Sequence, residues 1–444
     1  LRVLIATTPG AGHVAPMLSV AEELVGRGHR VRWYTGAAFR ESVRRSGARF
    51  EPMRAAYDFS GMTREQAFPH HAGLTGLNGM TTGFREIFLD PAPDQMADLL
   101  DLVEVEPPDV LVTDETIFGA GFAREHLGLR QVWVSTSVYL FSSRDTAPFG
   151  LGLFPSTAPW ARVRNAALRL AAHHVVLRGL RRHGDRIRSR VGLAPMRKGP
   201  FENVVHPPDL YLMSTVPSFE YPLGDMLPQT RFVGPLQSAT VPDGDLPPWW
   251  DELDGRRPVV HLTQGTVAND WRRLLAPGLE ALAEEDVTVI ATTGADPEDL
   301  DLGPLPGNAR LCRFVPHAHL LPRTDVMVTN GGYGGVNSAL SHGVPLVVAA
   351  ATEEKHEVGQ RVAWSGAGIH LRKRRLSRHD IRDAVRRVLS EPSFVRRAGE
   401  LRAEYRDHGG RSEAVDRIEE LVSGGPSTGP SAPRRSGGSE TEKP

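Results

Sequence analysis

The stretch from Asp325 to Glu357 reads DVMVTNGGYGGVNSALSHGVPLVVAAATEEKHE. Val326 to Thr329 is a β-branched run of strand length. Asn330, Gly331, Gly332, Tyr333, Gly334 and Gly335 form a glycine-rich turn, and Val336 to His342 has helical character. Gly343 and Pro345 punctuate before a second apolar run, Leu346–Val348. A strand that passes through a glycine loop into a helix and back into a strand calls for a parallel sheet with a crossover. That confines the chain to α/β architectures. The loop also sets free backbone N–H groups at the positive end of a helix, where an anion is favoured. The same glycines would serve a crowded turn equally well, and on this stretch alone the two readings stand level.

The rhythm recurs along the chain. Arg2–Thr7 is an apolar strand, and Pro9 to His13 a tight turn. Val14–Gly26 is a helix with Met17, Leu18, Ala21 and Leu24 on one face, ended at Gly28. Strand Arg30–Thr35, helix Ala37–Ser46 and strand Ala48–Met53 follow. After an irregular, glycine-rich segment, Arg54–Asp90, alternation resumes with helix Asp94–Val103, strand Asp109–Asp114, helix Ile117–Leu127 and strand Gln131–Thr136. A second irregular, aromatic region precedes helices Ala161–Leu177 and Leu180–Val191. Asp209–Ser214 is expected as the last strand of this half. Pro217, Pro222, Pro228 and Pro235 mark Val216–Gln237 as a linker. Five more strands are expected at Val259–Thr263, Val287–Thr292, Ala309–Phe314, Val326–Thr329 and Leu346–Ala349, with Arg378–Glu420 mostly helical.

The chain is therefore expected to form two doubly wound halves: 1–215, a linker 216–238, and 239–422, whose last helices are free to pack back on the first half. Its 444 residues exceed one ordinary core and suit two domains. The Ser-, Gly- and Pro-rich end, 423–444, is expected to be disordered.

Fifty-two basic against 53 acidic residues leave no global basic field, so nucleic acid is not an expected partner. Arg372–Arg378 reads as solvated surface. A single Cys312 excludes an internal disulfide and a cysteine metal cluster, and fits a reducing cytoplasm. No apolar run reaches membrane-spanning length, and no leader-like layout opens the chain. No basic amphipathic stretch stands out either, so stable membrane insertion is not expected. Monomer and homodimer remain open.

Two residues could do chemistry. His13 follows the first strand at a helix N-terminus, where the helix dipole disfavours imidazolium and keeps a lone pair for base catalysis. Among 17 histidines, its position at a strand's carboxyl edge distinguishes it. Asp114 ends the run DVLVTD, also at a carboxyl edge. It could orient His13 if the two strands are neighbours, or cap the helix that follows. No HExxH or GxxxxGK[ST] motif occurs, and GxSxG occurs only at 425–429, in the Ser-, Gly- and Pro-rich end, where no strand leads into it as a serine elbow requires. The turn GAGHVA fails the dinucleotide glycine pattern at Val14 and Ala15. Thr263 to Thr266 could meet a phosphate from the side opposite the glycine loop, or merely cap a helix.

At these residues the chain resembles the macrolide- and natural-product-type glycosyltransferases of the UDP-glycosyltransferase superfamily, up to about residue 422. The resemblance rests on Gly10–Pro16, Phe232-Val233-Gly234-Pro235, Phe314-Val315-Pro316-His317, Leu320-Leu321, VTNGGYGG and GVPLVV. It implies the GT-B fold, with two Rossmann-like domains facing a cleft. It also implies inverting, metal-independent transfer of a sugar from a UDP- or dTDP-sugar, without a cofactor. His13 would be the base and Asp114 its orienting partner. Gly12, Thr266, Phe314, Val315, His317, Asn330, Gly331, Gly332, Gly334, Gly335, Glu354 and Lys355 would line the donor site.

The chain departs from the family at four points. Asn330 stands where the family has His, Ser338 where it has a ribose-binding Glu, Phe314 and His317 where it has Trp and Gln, and Glu354-Lys355 where it has Asp-Gln. The irregular regions would build the acceptor pocket, with Phe59, Phe84, Phe88, Tyr139 and Phe141 as candidate walls for a small hydrophobic polyketide, macrolide or aromatic acceptor. The same aromatics could simply pack their loops down. A non-catalytic nucleotide-sugar-binding helper and a GT-B enzyme of lipid or cell-envelope assembly remain alternatives.

Overall fold

Side chains alternate across the first strand and divide the first core in two. Leu4 and Ala6 enter one buried cluster, Val3 and Ile5 the other, as a sheet covered by helices on both faces requires. The computed structural model describes residues 1–71, 73–74, 76–196, 204–237, 246–265, 271–350, 353–373 and 375–424, with only the backbone of Arg64, Asp299, Glu353 and Glu354. The first sheet contains β1 (Arg2–Ala6), β2 (Arg30–Thr35), β3 (Arg49–Pro52), β4 (Val110–Thr113), β5 (Gln131–Val134), β6 (Leu210–Met213) and β7 (Thr230–Phe232). The second contains β8 (Val259–Thr263), β9 (Thr288–Thr292), β10 (Ala309–Cys312), β11 (Val326–Thr329), β12 (Leu346–Ala349) and β13 (Gly368–Leu371). Their orders are β3-β2-β1-β4-β5-β6-β7 and β10-β9-β8-β11-β12-β13, and every pairing is parallel.

The two orders are the same up to the extra β7. Each sheet reverses direction once, between β1 and β4 in the first and between β8 and β11 in the second. Loops diverge at such a switch point and leave a crevice at the strands' carboxyl ends. Ala6 pairs with Thr113, and Thr329 with Thr263, so each crevice opens directly beyond these pairs.

Three expectations need correction. Asp209–Ser214 is not the last strand of the first half: β7 adds a seventh inside the proline-rich linker, too short at three residues to carry a period. A sixth strand, β13, extends the second sheet. It opens on Gly368, where a Cβ would lie 2.1 Å from the Leu346 carbonyl oxygen, so the strand needs the residue that least suggests one. The described part of Arg54–Asp90 is largely helical, with turns at Arg64–Ala67 and Pro69–His71, a helix at Gly76–Phe84 and a π-helical turn at Arg85–Leu89. Its glycines hide helical propensity that tertiary packing supplies, as Leu89 is fully buried in the core.

The halves share a hydrophobic cluster. Val138, Val216 and Phe219 pack with Tyr333, Val336, Leu340, Val358, Val362 and Tyr405. The helix Arg411–Ser423 returns to the first half, burying Ala414, Val415 and Ile418 beside Val3, Met17 and Leu24. Arg27 secures it with contacts to Asp416 at 2.6 Å and Glu419 at 3.1 Å. The residues from 425 onward, including nearly all of the expected disordered tail, lie outside the described residues.

Candidate active site

His13 lies in the first turn of the helix Ala11–Gly26, directly after β1. Asp114 directly follows β4, and the sheet order makes β1 and β4 neighbours. His13 Nδ1 is 3.4 Å from Asp114 Oδ1. The Asp114 carboxylate is completely buried and accepts from the Thr8 N–H at 2.7 Å, the Thr116 N–H at 2.7 Å and the Thr116 hydroxyl at 2.6 Å. Burial alone would raise its carboxyl. The facing His13 and the Thr116 and Thr8 donors outweigh burial and hold it below the usual carboxylate range. Of the two readings of Asp114, capping does not hold: the helix Phe118–Leu127 begins at Ile117 with no side-chain cap, and Asp114 Oδ1 serves instead the Thr116 turn that precedes it and the imidazole.

Sequence reasoning missed three groups here. Thr116 Oγ1 and Thr136 Oγ1 lie 3.3 and 3.4 Å from His13 Nδ1, so two hydroxyls join the carboxylate around that nitrogen. Glu115 is buried beside them and accepts from the N–H groups of Thr136 at 3.0 Å and Ser137 at 3.2 Å. Burial, then the Asp114 charge, push its carboxyl up to about 8. The signal was an acidic pair, DE, at a strand end; alone, it does not separate a working carboxylate from a supporting one.

At the second switch point the glycine loop follows β11 and enters the helix Tyr333–Ser341. Gly332 is its N-cap and no side chain caps it, so the first-turn N–H groups keep no intrahelical partner. A Cβ on Gly334 or on Gly12 would meet nothing within 4 Å. Gly331 is different: its φ is +85°, and a Cβ would approach Val348 Cγ1 at 2.9 Å and the Lys355 carbonyl oxygen at 3.1 Å. A Cβ on Gly335 would make only ordinary contacts. Four departures from the family can be followed here. The Asn330 side-chain amide donates to the Gln264 carbonyl and ties the β11 end to the β8 end. Ser338 is buried, with Oγ 3.2 Å from both His317 Nδ1 and Gln237 Nε2. Burial, then His342, lower His317 to about 4, so its ring is neutral near pH 7. Phe314 is 58% exposed, whereas Val315 is buried against Trp250 and Leu320. Val315 therefore supplies core rather than a side-chain contact. Thr266 and the Glu354 side chain lie outside the described residues; Lys355 is half-buried.

The aromatic candidates separate into groups. The rings of His13 and Phe88 are 6.4 Å apart, and Phe84 lies 5.7 Å from Phe88. Phe59 instead packs against Tyr57 and Phe68. Tyr139 is buried, stacked on Tyr211, and Phe141 stacks on Trp133. These two hold their loop to the core, and Tyr139 is not a pocket wall.

The aromatic loop is also fastened to the other half by a buried cluster that the sequence reading did not find. Arg361 contacts Glu220 at 2.5 Å and Glu357 at 3.2 Å. Glu220 accepts from the Tyr139 N–H, and Glu357 from the Gly150 N–H. Among the described residues, His70, His71 and Glu86 form a group with metal-ligating spacing; it includes neither His13 nor Asp114.

Comparison with known proteins agrees with this geometry. Residues 276–421 match the family model described as erythromycin biosynthesis protein CIII-like, C-terminal domain. The chain is 64% identical to 4'-demethylrebeccamycin synthase of Lentzea aerocolonigenes over 95% of its own length and 99% of that protein. It is 33% identical to UDP-glycosyltransferase 2 of Phaeomoniella chlamydospora, over 95% and 96%. Among solved structures, the glycotransferase of kitacinnamycin superposes with a TM-score of 0.72 at 23% identity, covering 95% of this chain and 98% of that one. The protein is a glycosyltransferase of natural-product biosynthesis with the GT-B fold, and the non-catalytic reading falls. The chain belongs to the UDP-glycosyltransferase superfamily, among its macrolide- and natural-product-type members.

Proposed function

We propose that the protein transfers a sugar, with inversion and without a metal ion, from a UDP- or dTDP-sugar to a hydroxyl of a small hydrophobic acceptor. One observation carries the reading. A histidine–carboxylate pair stands at one switch point and an uncapped helix N-terminus behind glycines at the other. These are the two things a displacement at an anomeric carbon needs: a base for the entering oxygen and stabilisation for the departing diphosphate.

His13 accepts the proton of the acceptor hydroxyl on Nε2, while Nδ1 faces Asp114, Thr116 and Thr136. The acceptor oxygen forms its bond to the anomeric carbon as the bond to the phosphate oxygen breaks. That electron pair leaves with the nucleoside diphosphate, and the proton remains on His13. Asp114 holds the imidazole and stabilises the charge it gains. The first-turn amides near Gly334 take the growing phosphate charge, a task a metal ion performs in other enzymes. Phe314, exposed after β10, offers a face for the base. Its relative's name points to a product of the 4'-demethylrebeccamycin type, which suits an acceptor lying against Phe84 and Phe88.

The test is incubation of the purified protein with UDP- and dTDP-sugars and a panel of flat apolar aglycones. A glycoside whose mass gains one sugar and whose anomeric configuration is opposite to the donor's is expected, with EDTA causing no loss. Retention of configuration, or loss of turnover to EDTA restored by a divalent ion, would overturn the mechanism.

A further inference from the structure

The helix Pro159–Ala171 is turned inside out. Apart from the buried Ala161, its inward contacts are polar. Arg162 contacts Asp145 at 2.6 Å, the fully buried Asn165 donates to the Arg144 carbonyl at 3.3 Å, and Arg169 donates to the Ser143 carbonyl at 2.5 Å. Its outward face is apolar. Trp160, Val163 and Leu170 are 66%, 71% and 61% exposed, and Val175, on the π-helical turn that continues it, is 74% exposed. Ala167 and Ala171 fill the same exposed stripe. Positions 160, 163, 167, 170 and 171 repeat at helical spacing, so this is one face. A helix that spends its polar residues on its own loop and its apolar residues on solvent has an unsatisfied surface.

The surroundings say what would cover it. From Pro159 to Arg190 the chain carries nine arginines against one acid, Asp185, within a protein of formal net charge −1. Arg178, Arg182, Arg186 and Arg190 are exposed on the following helix, Arg178–Arg190, and the Arg164 guanidinium lies 5.3 Å over the Trp160 ring. The stripe is roughly 22 Å long at the rise of a helix, too long for one small acceptor. It runs along an exposed helix face, and a second copy would bring the same positive charge against it. We propose that this segment, Pro159–Arg190, rests on an anionic lipid surface, with the Trp160–Val175 ridge in the headgroup–acyl boundary and the exposed arginines on lipid phosphates. This is peripheral adsorption. No helix among the described residues is long and apolar enough to cross a membrane. The sequence reading found no such stretch because an apolar helical stripe ordinarily faces the core.

Co-sedimentation of the full chain with vesicles decides it. Vesicles of phosphatidylcholine with phosphatidylglycerol should bind the protein at least about tenfold more strongly than phosphatidylcholine alone, and raised salt should weaken that binding. The double variant Val163→Asp/Leu170→Asp alters only exposed side chains. It should lose adsorption while keeping the wild-type melting temperature and activity on a water-soluble acceptor. Failure of the wild type to bind either vesicle overturns the proposal, as does equal binding by the variant. A wild-type dimer that the variant dissolves would also overturn it and assign the ridge to a second copy.

Discussion

The two switch points are built alike and equipped differently. Beyond β1 and β4 the candidate groups are side chains: His13, Asp114, Thr116 and Thr136, fixed by hydrogen bonds that are buried or part-buried. Beyond β8 and β11 the side chains are turned to structural tasks. Asn330 ties two strand ends together and Ser338 joins His317 to Gln237, while the first-turn backbone amides of the following helix have no side-chain cap. On the proposed mechanism, one fold used twice yields a proton acceptor where acid–base chemistry needs a titratable ring, and a set of fixed dipoles where only charge must be stabilised. On the same proposal the second half can depart from its family at Asn330 and Ser338, because amides do not depend on side-chain identity.

Substitutions can break this contrast. Asp114→Asn should lower transfer by about 10²- to 10⁴-fold, because the imidazole loses its charge partner and tautomer control, with nucleotide affinity unchanged by calorimetry. An equal loss in both would place Asp114 in donor binding or in folding. Two glycines sharpen the donor side. Gly334→Ala should leave the melting temperature near wild type yet weaken nucleoside diphosphate binding roughly 10- to 100-fold by shielding an amide, since its Cβ meets no protein atom. Gly331→Ala should instead destabilise the fold by about 1–3 kcal/mol in urea titration, because of its positive φ and its contact with Val348. If both behave alike, the loop is a packing turn and not an anion site.

Glu115 offers a finer test. Its carboxyl is raised from the ordinary value to about 8, so the folded state keeps a proton that the unfolded chain releases. That contribution to stability is full below the ordinary carboxyl range and is lost as pH rises through the folded value. Wild type should therefore lose stability relative to Glu115→Gln from about pH 5 to about pH 8, at up to about 1.4 kcal/mol per pH unit. A difference that is flat over that range would mean Glu115 is ionised throughout. The smallest effect is expected at Asn330→Ala, with nucleotide affinity changed by less than roughly threefold and about 1 kcal/mol of stability lost. A tenfold loss of affinity would show that the side chain, and not the amides, holds the phosphate.

Much of this organisation was written in short-range signals. Strand–turn–helix alternation carries the parallel sheets, and His13 and Asp114 were visible as polar residues at strand ends. Their approach depended on β1 and β4 being adjacent, which no local pattern specifies and the sheet order supplies. Elements without a period escaped: β7 has three residues and β13 opens on glycine. So did groups that matter only through tertiary contact. Thr116 and Thr136 are ordinary threonines until the fold brings both to His13. Glu220 and Arg361, 141 residues apart, give no sign in the sequence of sharing a buried ion pair. The aromatic candidates show the converse: composition marks Tyr139 and Phe88 equally, and only packing puts one in the core and the other beside the imidazole.

The central claim is that base and diphosphate site are separate devices on separate halves. It is tested most directly by measuring single-turnover transfer and nucleoside diphosphate affinity on one preparation of His13→Ala. Transfer is expected to fall at least about 10³-fold, with the dissociation constant within about twofold of wild type. Transfer within tenfold of wild type, or affinity falling in step with transfer, would contradict the claim.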